Sequence, residues 1–259
     1  MPTMYEIYDQ HAREYDELVT AEDYQGNLRT ALMKLCDFSG RSVVELGTGT
    51  GRVTRAYIDE AAHALCLDRS DHMLQKAQKN LREYLPRITF VRAEHLEAEQ
   101  VVIDATSAAA TGAAAGAPDA TVPGADILIE GWAFGHTVYD NPDNPEETIG
   151  KLVSLCERLV RPGGTILLIE TMGTNVDEPC PPGELLSTFY RILEEDHDFQ
   201  RTVISTDYRF RSVEEAARVM GFFFGPDMRE SVERRGATIV PEYSGIWTKQ
   251  RHSPGIRER

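Results

Sequence analysis

Basic residues are scarce in this chain: 27 Lys and Arg stand against 42 Asp and Glu, a formal net charge of −15. A deficit of that size argues against a broad phosphate-binding face, because nucleic-acid binders need clustered cations to displace counterions. Long hydrophobic runs are missing too. No window holds the ~20 apolar residues that a bilayer span needs, and the first residues, MPTMYEIYDQHAREYDELV, carry neither a basic n-region nor an apolar h-region. The expected setting is the cytoplasm, with no membrane and no nucleic acid as partner. Cysteine is limited to Cys36, Cys66, Cys156 and Cys180, without CxxC spacing, so neither a zinc cage nor a disulfide framework is expected.

What is present is a regular alternation. Short apolar runs at Ser42–Leu46, Ala64–Asp68, Ile88–Arg92, Asp126–Glu130 and Thr165–Glu170 alternate with helix-period stretches, the pattern of βαβ units in a doubly wound sheet. SDHMLQKAQKNLREYL, with Leu74, Ala77, Leu81 and Leu85 at helical spacing behind a Ser70 cap, predicts one helix; PEETIGKLVSLCERLV predicts another, stopped by Arg161-Pro-Gly-Gly. Thr206–Phe210 reads as a sixth strand, Ser212 and Glu215 as a capping box, and ATIVPEYSGIWTK as a last strand that Pro241 assigns to an edge or a bulge. The expected fold is α/β: one Rossmann-like domain over residues 1–259, a seven-stranded, mostly parallel sheet with helices on both faces and a small helical cap.

Three segments fall outside the rhythm. Residues 1–30 are expected to form a helical lid, in which Tyr8 and Tyr15 stand at helical spacing. Residues 104–124 hold nine alanines and no aromatic or basic residue, which predicts a flexible insertion, with an added alanine-rich helix as the alternative. Residues 172–199 combine a Pro- and Gly-rich loop with a helix from about Glu184, and their place after strand five makes them a candidate cap above the carboxyl edge of the sheet.

The densest signal is VVELGTGTGRV, Val43 to Val53, where Gly47, Gly49 and Gly51 occupy the turn between a strand and a helix. Such a turn lets backbone approach a ligand that a side chain would strike. A mononucleotide loop would need GxxxxGK[ST], and no lysine follows; a dinucleotide GxGxxG would need glycine where Arg52 stands. ELGTGTG, with Glu45 two residues before Gly47, instead resembles motif I of the class I S-adenosylmethionine-dependent methyltransferases, small-molecule type. The order of the chain agrees with that family: Asp68 ends the second strand, Glu94 and His95 follow the third, ADILIEGWAFGH spans the fourth, and LVRPGGTILLIE resembles the family's helix, turn and fifth strand.

The resemblance implies S-adenosylmethionine as cofactor and a small-molecule methyl acceptor; with no Asp/Asn constellation for a magnesium-chelated catechol in the sequence, no metal is expected. It implies that Gly47, Thr48, Gly49 and Gly51 form the cofactor turn, that Asp68 holds the ribose hydroxyls, that Glu94 meets the adenine amino group, and that Arg69, Met73 and His95 also bind the cofactor. Glu45, Glu130, Gly131 and Trp132 would then lie toward the methionine end, and Tyr15 would cover the site. The place after strand four reads Glu130-Gly-Trp-Ala, not the Asn/Asp-Pro-Pro-aromatic run of exocyclic-amine methyltransferases of nucleic acids. His136 is the first candidate for a general base, since histidine is poised near neutral pH; the other reading is a loop histidine that orders the turn. His11, His95 and His197 are weaker alternatives. Trp132 or Phe134 forms an apolar wall or belongs to the core. A cofactor-binding scaffold without turnover and a nicotinamide-dependent oxidoreductase are the rival functions.

Overall fold

The structure, a computed structural model, describes residues 6, 10–104 and 124–252. Tyr8 and the Ala-rich stretch expected at 104–124, but for its two end residues, lie outside the described residues.

Helices α1 (Ala12–Ala21) and α2 (Asn27–Leu35) precede strand β1 (Ser42–Leu46). Helix α3 (Arg52–Tyr57), β2 (His63–Asp68), α4 (Asp71–Asn80) and β3 (Ile88–Arg92) follow. Next come β4 (Ala125–Gly131), α5 (Phe134–Tyr139), α6 (Pro145–Leu159) and β5 (Val160–Thr174). The chain continues with α7 (Glu184–Glu195), β6 (Gln200–Ser205), β7 (Tyr208–Arg209), α8 (Val213–Phe224), α9 (Pro226–Arg235), β8 (Ile239–Val240) and β9 (Glu242–Gln250). Seven strands form one sheet in the order β3-β2-β1-β4-β5-β9-β6, in which β9 runs antiparallel to both neighbours and the remaining pairs are parallel. The strand order reverses beside β1, and the carboxyl ends of β1 and β4 open the crevice where doubly wound sheets take ligands.

Strand alternation sorts the core into two layers. Val44, Leu46, Leu128, Ile166 and Leu168 face α5, α6 and α7; Val43, Ile127, Ile129, Leu167 and Ile169 face α2 and α3. The same parity sends Glu45 to the α3 face, and sends Glu130 and Glu170 to the α5 face. Among the described residues no helix is long and apolar enough to cross a membrane.

Several sequence expectations need correction. The sixth strand is Gln200–Ser205, not Thr206–Phe210. It is an edge strand without a fully buried residue, so it offers no apolar run, whereas Tyr208–Arg209 pairs with Ile239–Val240 in a separate two-stranded ribbon. The last strand is not at an edge. Pro241 falls between β8 and β9, which leaves Glu242–Gln250 free to pair on both sides. Helix α4 ends at Asn80 and leaves Leu85 exposed, although Ser70 does cap it by accepting from the Met73 N–H. Ser212 likewise accepts from the Glu215 N–H, but the Glu215 carboxylate takes the N–H of Arg211 in place of that of Ser212.

The segment expected as a cap, 172–199, is anchored in the core by one face of its helix, while Thr174, Pro182 and Leu186 line a cavity. Helix α7 buries Leu186, Phe189, Tyr190, Ile192 and Leu193, and the Tyr190 ring lies 4.3 Å from that of Trp247 on β9. A third, smaller cluster joins Leu18 of α1 to Tyr208, Val240 and the buried face of α8, so the N-terminal helix is held by the ribbon and α8.

Candidate functional site

The glycine turn lies at the carboxyl end of β1. Gly47, Gly49 and Gly51 all have positive φ, at 73°, 55° and 90°. Their duties differ. A Cβ on Gly47 would come within 2.5 Å of Ala133 Cβ, and one on Gly51 within 2.6 Å of Leu81 Cδ1, while the nearest atom to a Cβ on Gly49 is Tyr15 Cε1 at 3.7 Å. Gly47 therefore permits close approach of the loop after β4, Gly51 permits α3 to seat against the end of α4, and Gly49 faces open space beneath Tyr15. Gly51→Ala is expected to lower stability by about 1–3 kcal/mol through overpacking against Leu81 and backbone strain, read by urea unfolding. Unchanged stability would show that Leu81 yields freely.

That open space is a cavity of about 380 Å³ lined by Tyr15, Gly47, Gly49, Asp68, Arg69, Met73, Glu94, His95, Gly131, Trp132 and His136, among others. Eleven of the residues singled out from the sequence thus converge. Asp68 is oriented from behind: its two oxygens accept the N–H groups of Gly49 and Ser70, each at 2.8 Å. A carboxylate oxygen has a second lone pair, so both remain competent toward a ligand. Arg69 lies 3.7 Å from Glu94. Burial and the neighbouring Arg69 and His136 push the His95 ring down to about 4, and its Nδ1 is buried without a hydrogen-bond partner. Burial also lowers His136 from its ordinary value, which keeps its ring neutral near pH 7. Trp132 has φ 54°, unfavourable for a bulky residue, and its ring lies 3.8 Å beneath the Arg52 guanidinium, which also pairs with Glu22.

Four residues expected at the cofactor do not line this cavity. Glu45 turns to the α3 face, where its Oε2 accepts from Tyr57 Oη at 2.5 Å and Thr54 Oγ1 at 2.8 Å; burial raises its carboxyl to about 7. Thr48 is buried behind the turn, and Gly51 is a packing glycine. Glu130 Oε1 accepts the N–H groups of Ala133 and Phe134 at 2.6 and 3.0 Å, so it caps α5, with burial raising it to about 8. Phe134 is core. Neither His11 nor His197 reaches the cavity lining.

A second cavity, about 390 Å³, shares Tyr15, Trp132 and His136 with the first and continues toward β5 and β9. Glu22, Arg52, Glu170 and Glu242 supply its charged groups and Leu18, Leu186, Tyr139 and Phe224 much of its apolar wall. None of these eight was singled out from the sequence as a site residue. The available signal was Glu170, the last residue of the strand read from the sequence at Thr165–Glu170, although β5 itself runs on to Thr174.

This fold and the geometry of this site resemble those of the class I S-adenosylmethionine-dependent methyltransferases. Residues 43–121 match the family described as Methyltransferase domain. Phosphoethanolamine N-methyltransferase 1 of Triticum aestivum is 27% identical over 137 residues, covering 53% of this chain and 22% of that protein. Ribosomal RNA small subunit methyltransferase H of Bartonella bacilliformis is 28% identical over 75 residues, 29% of this chain and 23% of that protein. The chain therefore spans less than a quarter of the length of these two relatives. Among solved structures, that of a DhpI–SAH complex superposes with a TM-score of 0.52 at 15% identity, covering 95% of this chain and 94% of the other, a likeness of fold.

Proposed function

We propose that the chain transfers a methyl group, by in-line displacement, to oxygen, nitrogen or carbon of a small organic acceptor. The observation that carries this reading is the pair of adjoining cavities with Tyr15, Trp132 and His136 in their common wall. One takes the cofactor and the other the acceptor, and both lie within the size range of small-molecule sites. S-adenosylmethionine supplies a methyl group on a sulfonium that leaves as a neutral thioether.

The protein's share is binding, alignment and exclusion of water, and alignment of this kind contributes roughly 7–11 kcal/mol at best. Gly47 and Gly49 admit the cofactor to the backbone, Asp68 accepts hydrogen bonds from ribose hydroxyls, and Met73 and Trp132 form apolar walls. Glu94 and His95 meet the base, and Tyr15 covers it. His136, neutral and shared by the two cavities, takes the acceptor's proton. A small acceptor is favoured over nucleic acid by the acidic second cavity and the net charge of −15. The relative from Triticum aestivum, named for phosphoethanolamine, supports the same choice; the match to the ribosomal RNA enzyme is confined to 75 residues.

Calorimetry tests the cofactor half of the reading. S-adenosylhomocysteine is expected to bind and NAD not to, and Asp68→Ala is expected to weaken the binding by about 1–3 kcal/mol through loss of charge-assisted hydrogen bonds. NAD binding in its place would overturn the assignment, and an unaltered affinity in the variant would remove Asp68 from it. Incubation with methyl-labelled cofactor and a fractionated metabolite pool separates an enzyme from a cofactor-binding scaffold.

A further inference from the structure

The second cavity carries more carboxylates than its neighbours can neutralise. Of its charged side chains, Arg52 is matched by Glu22, which it contacts directly. That leaves Glu170 and Glu242 in excess: Arg52 also acts on Glu242 through space, but no second Arg or Lys lines the cavity. Glu242 is 2% exposed; its Oε1 accepts from Thr171 Oγ1 at 3.0 Å, and its Oε2 has no hydrogen-bond partner. Glu170 is 3% exposed, and its Oε1 accepts the Gly135 N–H at 2.7 Å. They stand on adjacent antiparallel strands, where Thr174 of β5 pairs with Glu242 and Glu170 with Gly245 of β9.

A buried carboxylate is costly unless it is paired. Among the described residues no group of three carboxylate, histidine or cysteine side chains is placed to hold a metal ion, so the geometry suits an organic cation better. The rest of the wall agrees. Tyr15, Trp132, Tyr139 and Tyr208 present aromatic surface, which attracts a cation over its faces. Tyr139 and Phe224, 46% and 41% exposed, stand at the solvent side and leave a route for an apolar body.

We propose that this second cavity is the acceptor subsite and that it selects an acceptor bearing an ammonium group, held by Glu242 and Glu170. The inference rests on the methyltransferase reading only for the word acceptor; selection of a cation by this cavity stands on its own. Burial raises the carboxyls of Glu170 and Glu242 well above the ordinary range, and a bound cation would draw them toward the ionised form. A neutral hydroxyl-bearing ligand meeting protonated carboxyls is the competing outcome, and a matched series of probes distinguishes the two.

The test is calorimetry on the full chain, with and without saturating S-adenosylhomocysteine, using 2-phenylethylammonium, 2-phenylethanol and 3-phenylpropanoate. The ammonium probe is expected to bind at least tenfold more tightly than the alcohol, and the carboxylate not to bind. Glu242→Gln is expected to remove at least tenfold of the ammonium affinity while leaving the alcohol and S-adenosylhomocysteine unaffected. Equal binding of ammonium and alcohol, preference for the carboxylate, or no binding of any probe would overturn the proposal. The wild-type series decides the matter even if the variant fails to fold. Failure of S-adenosylhomocysteine to bind would remove the methyltransferase reading while leaving the selectivity measured without it intact.

Discussion

Replacing His136 with alanine is expected to lower turnover roughly 10²–10⁴-fold while leaving S-adenosylhomocysteine affinity nearly unchanged. The expectation follows from where the ring sits and what burial does to it. His136 lines both cavities, next to Trp132, and its basicity is lowered by burial. A neutral ring accepts a proton, so activity is present above its lowered value and is lost as pH falls through it. The acid limb of the kcat/KM profile is therefore expected below the ordinary histidine range near 6.5, and it should vanish in the variant. A residue that merely orders the turn would shift stability and leave that limb in place. Equal turnover in wild type and variant would show that alignment alone carries the reaction.

The first cavity was far more legible in the sequence than the second, and the reason is geometric. Gly47, Gly49, Asp68, Glu94, Trp132 and His136 all lie at or just beyond the ends of consecutive parallel strands. Once the βαβ order is read, they fall on one edge whatever the side-chain packing. The second cavity is assembled from Glu22, Arg52, Glu170 and Glu242, which lie far apart in the chain, and Glu242 reaches it on β9, inserted between β5 and β6. That insertion was hidden by Pro241, which reads as an edge signal until it is seen to precede the strand. Glu45 was misread for a different cause. Strand parity groups it with Val43, on the side of α3, and no local pattern reveals that Tyr57 waits there to hold it. The edge strand β6, QRTVIS, buries too little to leave an apolar signature.

Without ligand, the chain is expected to lose stability as pH rises from 6.5 to 8, by about 1.4 kcal/mol per pH unit for each buried carboxyl that keeps its proton. Glu130 is raised to about 8 and Glu45 to about 7, in both cases chiefly by burial, and Glu170 and Glu242 are raised as well. In the unfolded chain all four ionise near the ordinary glutamate value of about 4.3. Across this window the folded state therefore binds more protons than the unfolded one, and each rise in pH favours unfolding. The buried histidines act oppositely, over the lower part of the same range. His95, lowered to about 4, and His136 are neutral in the fold, so the unfolded chain gains protons over it only as pH drops below about 6.5. Below about 6.5 the two histidines offset only two of the four carboxyls, so stability is expected to go on rising, at a shallower slope, as pH falls toward the ordinary glutamate value. Urea unfolding at pH 6.5, 7.2 and 8.0 reads the slope directly, and Glu130→Gln, which keeps an oxygen acceptor for the Ala133 and Phe134 N–H groups, is expected to flatten it. Stability that stays level or rises over this window would mean that the buried carboxyls are already ionised in the fold, with counter-charges that this arrangement of side chains does not supply.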